Sequence, residues 1–175
     1  MQKFLLGGLM VGGTLFAGCH GGIVGRGAPQ AEATLQPMAG SKLSGRVWFS
    51  QSGDKVRVVA EVHGLTPGGH GFHVHEKGDC SAPDGSSAGG HFNPGGMRHG
   101  SPDLGEHHAG DMPQLIANAD GTARLTAYLE GVSVGGEVGD LVGRSVVVHA
   151  AADDFASQPA GNSGGRLACG LIVRK

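Results

Sequence analysis

Hydrophobic and polar positions alternate two by two along much of this chain, and few stretches carry the three-to-four spacing of a buried helix face. Val56, Val58, Ala60 and Val62 are separated by Lys55, Arg57, Val59 and Glu61, the period of a half-buried strand. Lys42 to Ser50 reads as its hairpin partner, with Gln51-Ser52-Gly53-Asp54 as the turn. Leu115 to Ala117 and Leu125 to Leu129 flank Asn118-Ala119-Asp120-Gly121, a second hairpin signal. Arg144 to His149 and Leu167 to Val173 are two further β-rich runs. Short strands joined by glycine-rich turns predict an all-β domain, a Greek-key antiparallel β-sandwich or flattened barrel of immunoglobulin-like type. Two stretches lack strand character, residues 76–113 and 150–166, and both are bounded by histidines. Long loops in a compact domain are usually functional or disordered, and a bound metal can order them.

Residues 1–40 have a different pattern. Met1-Gln2-Lys3 is a positively charged start, and Phe4 to Phe16 is an apolar run of signal-peptide length, too short to span a bilayer as a helix. Ala17-Gly18 then precedes Cys19, which resembles a bacterial lipoprotein signal in which the cysteine becomes the lipidated first residue. Phe16 departs from the leucine usual in that place, and an ordinary secretory peptide cleaved nearby is the other reading. Residues 19–40, mostly Gly, Ala, Pro and Gln, read as a flexible linker. The expected organisation is signal peptide 1–18, lipid-anchored linker 19–40 and folded domain 41–175. The product would be exported to a periplasm or outer cell surface and held on the membrane through Cys19.

Composition narrows the chemistry. Among 175 residues there are 35 glycines without a triplet repeat, which excludes collagen and favours a loop-rich fold. A formal net charge of −2 gives no basic footprint for nucleic acid. Ten histidines are many for this length, and most lie between His63 and His108. His73 and His75, two apart on an extended strand, project to one face and could share an ion, although an HxH pair alone is a common accident. His91, His99, His108 and Asp111 make three imidazoles and one carboxylate, a set that suits four-coordinate zinc. His149 closes the apolar run Val146-Val147-Val148.

These residues lie in stretches that together resemble the copper–zinc superoxide dismutases, the bacterial exported branch fitting best. The stretches are GFHVHEKGDC (71–80), AGGHFNP (88–94), HHAGD (107–111), VVVHAAADD (146–154) and GGRLACG (164–170), in family order from about residue 45 onward. The resemblance implies copper held by His73, His75, His91 and His149, and zinc by His91, His99, His108 and Asp111, with the His91 imidazole bridging the two ions. It implies that Asp153 hydrogen-bonds the outer nitrogens of His73 and His99, fixing their tautomers. It implies a disulfide between Cys80 and Cys169, and Arg166 as the cation that orients superoxide beside copper. The implied reaction is dismutation to oxygen and hydrogen peroxide, with copper as the redox ion, zinc structural, and His91 as a proton carrier. The expected biological role is protection of the cell envelope. Monomer and homodimer are both compatible with the resemblance. Residues 157–165 carry no charge, a departure that moves long-range steering of the anion elsewhere, Lys77 being one candidate. A metal carrier on this fold would lack Asp153 or Arg166, and an adhesion domain would have eroded ligands; every one of these residues is present. Of the other histidines, His20 and His63 need no function, His70 reads as a structural hydrogen-bonding residue, and His107 reads as solvent-facing.

Overall fold

The computed structural model describes residues 28, 30–38 and 40–175. The expected signal peptide and Cys19 lie outside those residues. The strands are β1 (Gln30–Pro37), β2 (Ser44–Ser52), β3 (Lys55–His63), β4 (Gly68–His70), β5 (Phe72–His75), β6 (Leu115–Ala117), β7 (Ala123–Leu129), β8 (Ser145–His149), β9 (Arg166–Leu171) and β10 (Val173–Arg174). A single 3₁₀ turn at Ser86–Ala88 is the one helical element among the described residues. Seven strands form a curled antiparallel sheet in the order β5-β8-β9-β1-β2-β3-β7, with β10 added beside β1, while β4 and β6 pair separately. The all-β antiparallel class expected from the alternation is therefore what forms.

The β2–β3 hairpin runs in unbroken register from Ser44↔His63 to Ser52↔Lys55, and its inward side chains Val47, Phe49, Val56, Val58, Ala60 and Val62 are buried. Each of these valines, and Phe49, contributes about 1.5–3 kcal/mol on leaving water. Trp48, between Val47 and Phe49, is half-buried on the opposite, outward face.

Two expectations are corrected. The linker assigned to residues 19–40 does not extend to residue 40: Gln30–Pro37 is strand β1, in the middle of the sheet. It pairs with β2 from Gln30↔Ser50 to Leu35↔Gly45 and passes to β9 through Gln36↔Cys169 and Pro37↔Ala168. Ala31, Ala33 and Leu35 point inward and are buried. Two of these three are alanines, which carry the strand alternation only faintly because their apolar area is small. The second correction concerns the runs on either side of residues 118–121. The turn forms, with Gly121 N–H donating to Asn118 O (3.0 Å), but the runs do not pair with each other. β6 pairs with β4 and β7 pairs with β3, while Leu115 and Ala117 join Ala123 and Leu129 in one buried core.

Two long connections leave this frame, residues 76–114 between β5 and β6 and residues 150–165 between β8 and β9. The first is laid along the free edge of β5. Val74 N–H donates to Gly110 O (2.8 Å), Phe92 N–H to Val74 O (2.8 Å) and Glu76 N–H to Gly90 O (2.9 Å). The Cys80–Cys169 disulfide ties this loop to β9, with Cα atoms 5.7 Å apart and a separation of 89 positions in sequence. A closure of that length stabilises by about 4.6 kcal/mol in the chain-entropy account.

Candidate metal centres

β5 pairs with β8 through Phe72↔Val148, His73↔Val147, Val74↔Val146 and His75↔Ser145, which brings His73 and His75 beside His149 at the end of β8. The loop laid on the other edge of β5 adds isolated bridges His75↔His91 and His73↔Asp111. All seven positions read from the sequence thus meet in two groups that share His91. In His73, His75, His91 and His149 the donor atoms lie within 4.8 Å of one another, and the same limit holds for His91, His99, His108 and Asp111.

Hydrogen bonds on the outer side of each ring decide which nitrogen is bare. His73 Nε2–H donates to Asp153 Oδ2 (2.6 Å) and His99 Nε2–H to Asp153 Oδ1 (3.0 Å), since a carboxylate can only accept. His75 Nδ1–H donates to Gly89 O (3.0 Å), and His149 Nδ1–H to Gly164 O (3.3 Å). That leaves His75 Nε2 and His149 Nε2 as two lone pairs 3.4 Å apart. His73 Nδ1 and His91 Nε2 are buried with no hydrogen-bond partner at all. Four bare nitrogens converging in a buried space are unfavourable until a cation lies between them, and an all-imidazole set suits copper(II).

In the second group His91 Nδ1 is 2.8 Å from Asp111 Oδ1, and His108 Nδ1 is 3.4 Å from both His91 Nδ1 and Asp111 Oδ1. His99 Nδ1 lies 3.0 Å from Asp111 Oδ2 but without hydrogen-bond geometry, so it too is a buried, partnerless donor. Asp111 Oδ2 also accepts the N–H groups of Gly100 (3.1 Å) and His108 (2.9 Å). Three imidazoles and a carboxylate facing one point fit four-coordinate zinc.

The electrostatics agree with that fit, because metal ligands must be unprotonated. Burial lowers the pKa of His75 to about 2 and of His149 to about 4, with the neighbouring His91 acting in the same direction on both. Burial also holds His73 well below the usual histidine range and lowers His108. Burial would raise Asp111, but the His91 hydrogen bond and the two backbone donors outweigh it and keep the carboxylate ionised.

Arg166 is half-buried at the start of β9, opposite His149 in the β8–β9 register. Its guanidinium donates to Gly85 O and to Gly89 O, the latter at 2.6 Å. Its positive charge helps to lower the pKa of both His75 and His149. Gly89 O thus receives a ring N–H from one side and a guanidinium from the other.

Among the described residues, the remaining histidines are outside both groups. His70 is buried and ties Thr66 O (2.9 Å) to His149 O (2.8 Å). His63 is exposed 3.5 Å from Glu61, and His107 is half-exposed, its Nδ1–H donating to Gly105 O (2.6 Å). Lys77 is exposed, and its main chain pairs with Ala88 O and Ser145 Oγ.

Four contributors carry little or no signal in the sequence. The carbonyls of Gly89 and Gly164 carry no sequence signal, since any residue has one. Gly161 does: its φ is +65°, and a Cβ there would run into Asp153 Oδ1 and His99 Nε2, so only glycine lets the loop close over the carboxylate bridge. Gln158 sits in the uncharged stretch and hydrogen-bonds both main-chain groups of His99.

The family model described as copper/zinc superoxide dismutase (SODC) matches residues 43–172. A copper–zinc superoxide dismutase of Deinococcus radiodurans is 40% identical over 159 residues, covering 83% of this chain and 85% of that protein. A copper–zinc superoxide dismutase 2 of Brassica juncea is 44% identical over 148 residues, covering 80% of this chain and 94% of that protein.

Proposed function

The chain belongs to the copper/zinc superoxide dismutase family, and from that premise we propose a role for each residue of its centre and a place for it in the cell. It is an enzyme that dismutes superoxide to oxygen and hydrogen peroxide, and its two histidine groups fit the copper and the zinc of the family. In our assignment copper is held by His73, His75, His91 and His149, and zinc by His91, His99, His108 and Asp111. One observation carries this reading: the buried, partnerless nitrogens His73 Nδ1, His91 Nε2 and His99 Nδ1 are aimed into two donor sets that share one imidazole.

Copper, when bound, supplies the one-electron couple that zinc lacks. The chain supplies the rest. Arg166, fixed by two carbonyls, presents a permanent positive charge that draws in and orients the anion. Two superoxide anions consume two protons to give one oxygen and one hydrogen peroxide. His91 Nε2, shielded from solvent, is the atom that holds the first of them, and the second comes from water. His91 Nδ1 stays directed at Asp111 throughout, so the ring returns to one place in each cycle. Asp153 holds the rings of His73 and His99 in the tautomers this requires.

The cellular placement is supported by Met1-Gln2-Lys3, the apolar run Phe4 to Phe16 and the position of Cys19. The enzyme is exported, lipidated on Cys19 and held at a periplasmic or outer surface, where it shields the envelope. The Cys80–Cys169 disulfide suits such an oxidising compartment. Mass spectrometry of the mature N-terminus tests this part: an unmodified N-terminus other than Cys19 overturns it.

Superoxide decay with the full chain tests the chemistry. The copper- and zinc-loaded protein is expected to be fast, the zinc-only form inactive, and Arg166→Ala about tenfold slower at low substrate, the size of one charge-assisted contact. Undiminished decay in the variant would remove Arg166 from its assigned role.

A further inference from the structure

His91 and Asp111 are each placed by a main-chain bridge to β5, whereas His99 takes part in no such bridge among the described residues. Its main chain is held instead by one side chain from the opposite loop. Gln158 Oε1 accepts the His99 N–H (2.9 Å), and Gln158 Nε2 donates to His99 O (2.9 Å) across 59 positions of sequence. The primary amide occupies both main-chain groups of a single residue, much as a neighbouring strand would. Its orientation is fixed, because the reversed amide would set NH₂ against N–H and oxygen against oxygen.

The loop is shaped to deliver that amide. Asp154 accepts the N–H groups of Ala156 (2.9 Å) and Ser157 (2.8 Å), the Ser157 hydroxyl (2.7 Å) and the Asn162 amide (3.1 Å), which closes a tight turn just ahead of Gln158. Gln158 Nε2 is steadied further by Ala156 O (3.2 Å). Residues 157–165 carry no charge, so this neutral pair of hydrogen bonds does the anchoring that no ion pair in the stretch could do. His99 is thereby gripped twice from one loop: at the ring by Asp153, and at the main chain by Gln158.

We propose that Gln158 is a positioning residue for the zinc group, setting where His99 Nδ1 stands and hence how tightly that group keeps its ion, while leaving the His73, His75 and His149 side untouched. The proposal rests on the reading that His91, His99, His108 and Asp111 hold zinc. Partners that orient a ligand from outside typically change metal affinity by about 10–100-fold. Gln158 acts on the main chain rather than the ring, so the lower end of that range is expected.

The test uses the full chain loaded with copper and zinc, and the variants Gln158→Ala and Gln158→Glu. Zinc transfer to a chelator is followed, with the visible spectrum of cobalt(II) in the zinc position and the electron paramagnetic resonance of copper(II) alongside. Both variants should surrender zinc about tenfold faster and show an altered cobalt spectrum, while the copper signal and copper retention stay as in the parent. Gln158→Glu keeps the acceptor for His99 N–H but places a carboxylate against His99 O, and it decides the matter should the alanine variant fail to fold. Zinc release within about twofold of the parent in both variants, or copper and zinc lost together, overturns the proposal. A parent chain that takes up no zinc overturns instead the site reading beneath it.

Discussion

The two donor sets sit side by side, share an imidazole, and are built in opposite ways. His73, His75 and His149 stand on β5 and β8, where ladder register places the backbone of every donor before any ion arrives. His99, His108 and Asp111 stand on residues 76–114, which contribute no strand, and are held by a carboxylate that caps two backbone N–H groups and by contacts from residues 150–165. A ladder is cooperative and fixes its side chains whatever they are. A loop must be fixed residue by residue, so each donor there has a named partner: Asp111 for His108, Asp153 and Gln158 for His99. The strand-built set is therefore a property of the fold, and the loop-built set is a property of the fold together with its ion.

Acidifying the metal-free protein should produce the largest effect, and it weighs most on the strand-built set, where burial lowers His73, His75 and His149, against His108 alone in the loop-built set. The folded-state pKa values of His75 and His149 are depressed to about 2 and about 4 by burial, against 6.5 in the unfolded chain. Their contribution is thus fully present above pH 6.5. It falls as the pH drops below 6.5, because the unfolded chain then takes up protons that the folded one refuses until about pH 4 for His149 and lower for His75. At about 1.4 kcal/mol per pH unit per group, these two cost about 3 kcal/mol between pH 7.5 and 5.5. Asp111 adds nothing to that loss, since its depressed pKa matters only below the ordinary aspartate range. Urea midpoints of the chelator-treated protein at the two pH values measure the drop. Equal midpoints would mean that the strand-held imidazoles are not buried neutral.

Asp153→Ala comes next in size, because its carboxylate touches both sets. His73 keeps its place in the β5–β8 ladder when the bond is lost, whereas His99 retains only Gln158. Zinc affinity is expected to fall about 100-fold and copper affinity about tenfold, the two ends of the range for such partners. Calorimetric titration of each ion checks this. Equal losses would erase the contrast between ladder and loop, and unchanged binding of both ions would remove Asp153 from the bridge altogether.

How legible these features were follows the same division. The β2–β3 hairpin was readable because Val, Phe and charged residues alternate at full contrast. β1 was not, because Ala31 and Ala33 give the same alternation with little apolar area, and a Gly, Ala, Pro and Gln background hides it. The partners of β6 and β7 could not be read from the turn between them, since a turn fixes local direction and does not select the strand each run pairs with. All seven donor positions were legible, because histidine and aspartate advertise their chemistry and the surrounding stretches resemble a known family. The groups that aim them were legible only where they are charged, as with Asp153 and Arg166. Gln158 and the carbonyls of Gly89 and Gly164 act through main-chain geometry, which only the folded loops reveal.

The smallest effect lies furthest from either ion. Asp154 is exposed and touches no donor; its carboxylate pKa is lowered to about 2 by hydrogen bonds from Ser157 and the neighbouring N–H groups. Its bearing on the loop-built set runs entirely through the turn that delivers Gln158. Asp154→Ala removes four acceptor contacts and lets that turn loosen, yet the amide can still find His99 for much of the time. Zinc should leave about two- to threefold faster, the size expected of an exposed substitution. Asp154→Asn keeps an acceptor oxygen for the N–H groups of Ala156 and Ser157, so it should release zinc like the parent. Copper retention should be the same in all three proteins, because no ladder residue depends on this turn. If Asp154→Ala loosened copper as well, the turn would have to support His149 through Gly164 O, and residues 150–165 would serve both sets equally rather than favouring the one built without strands.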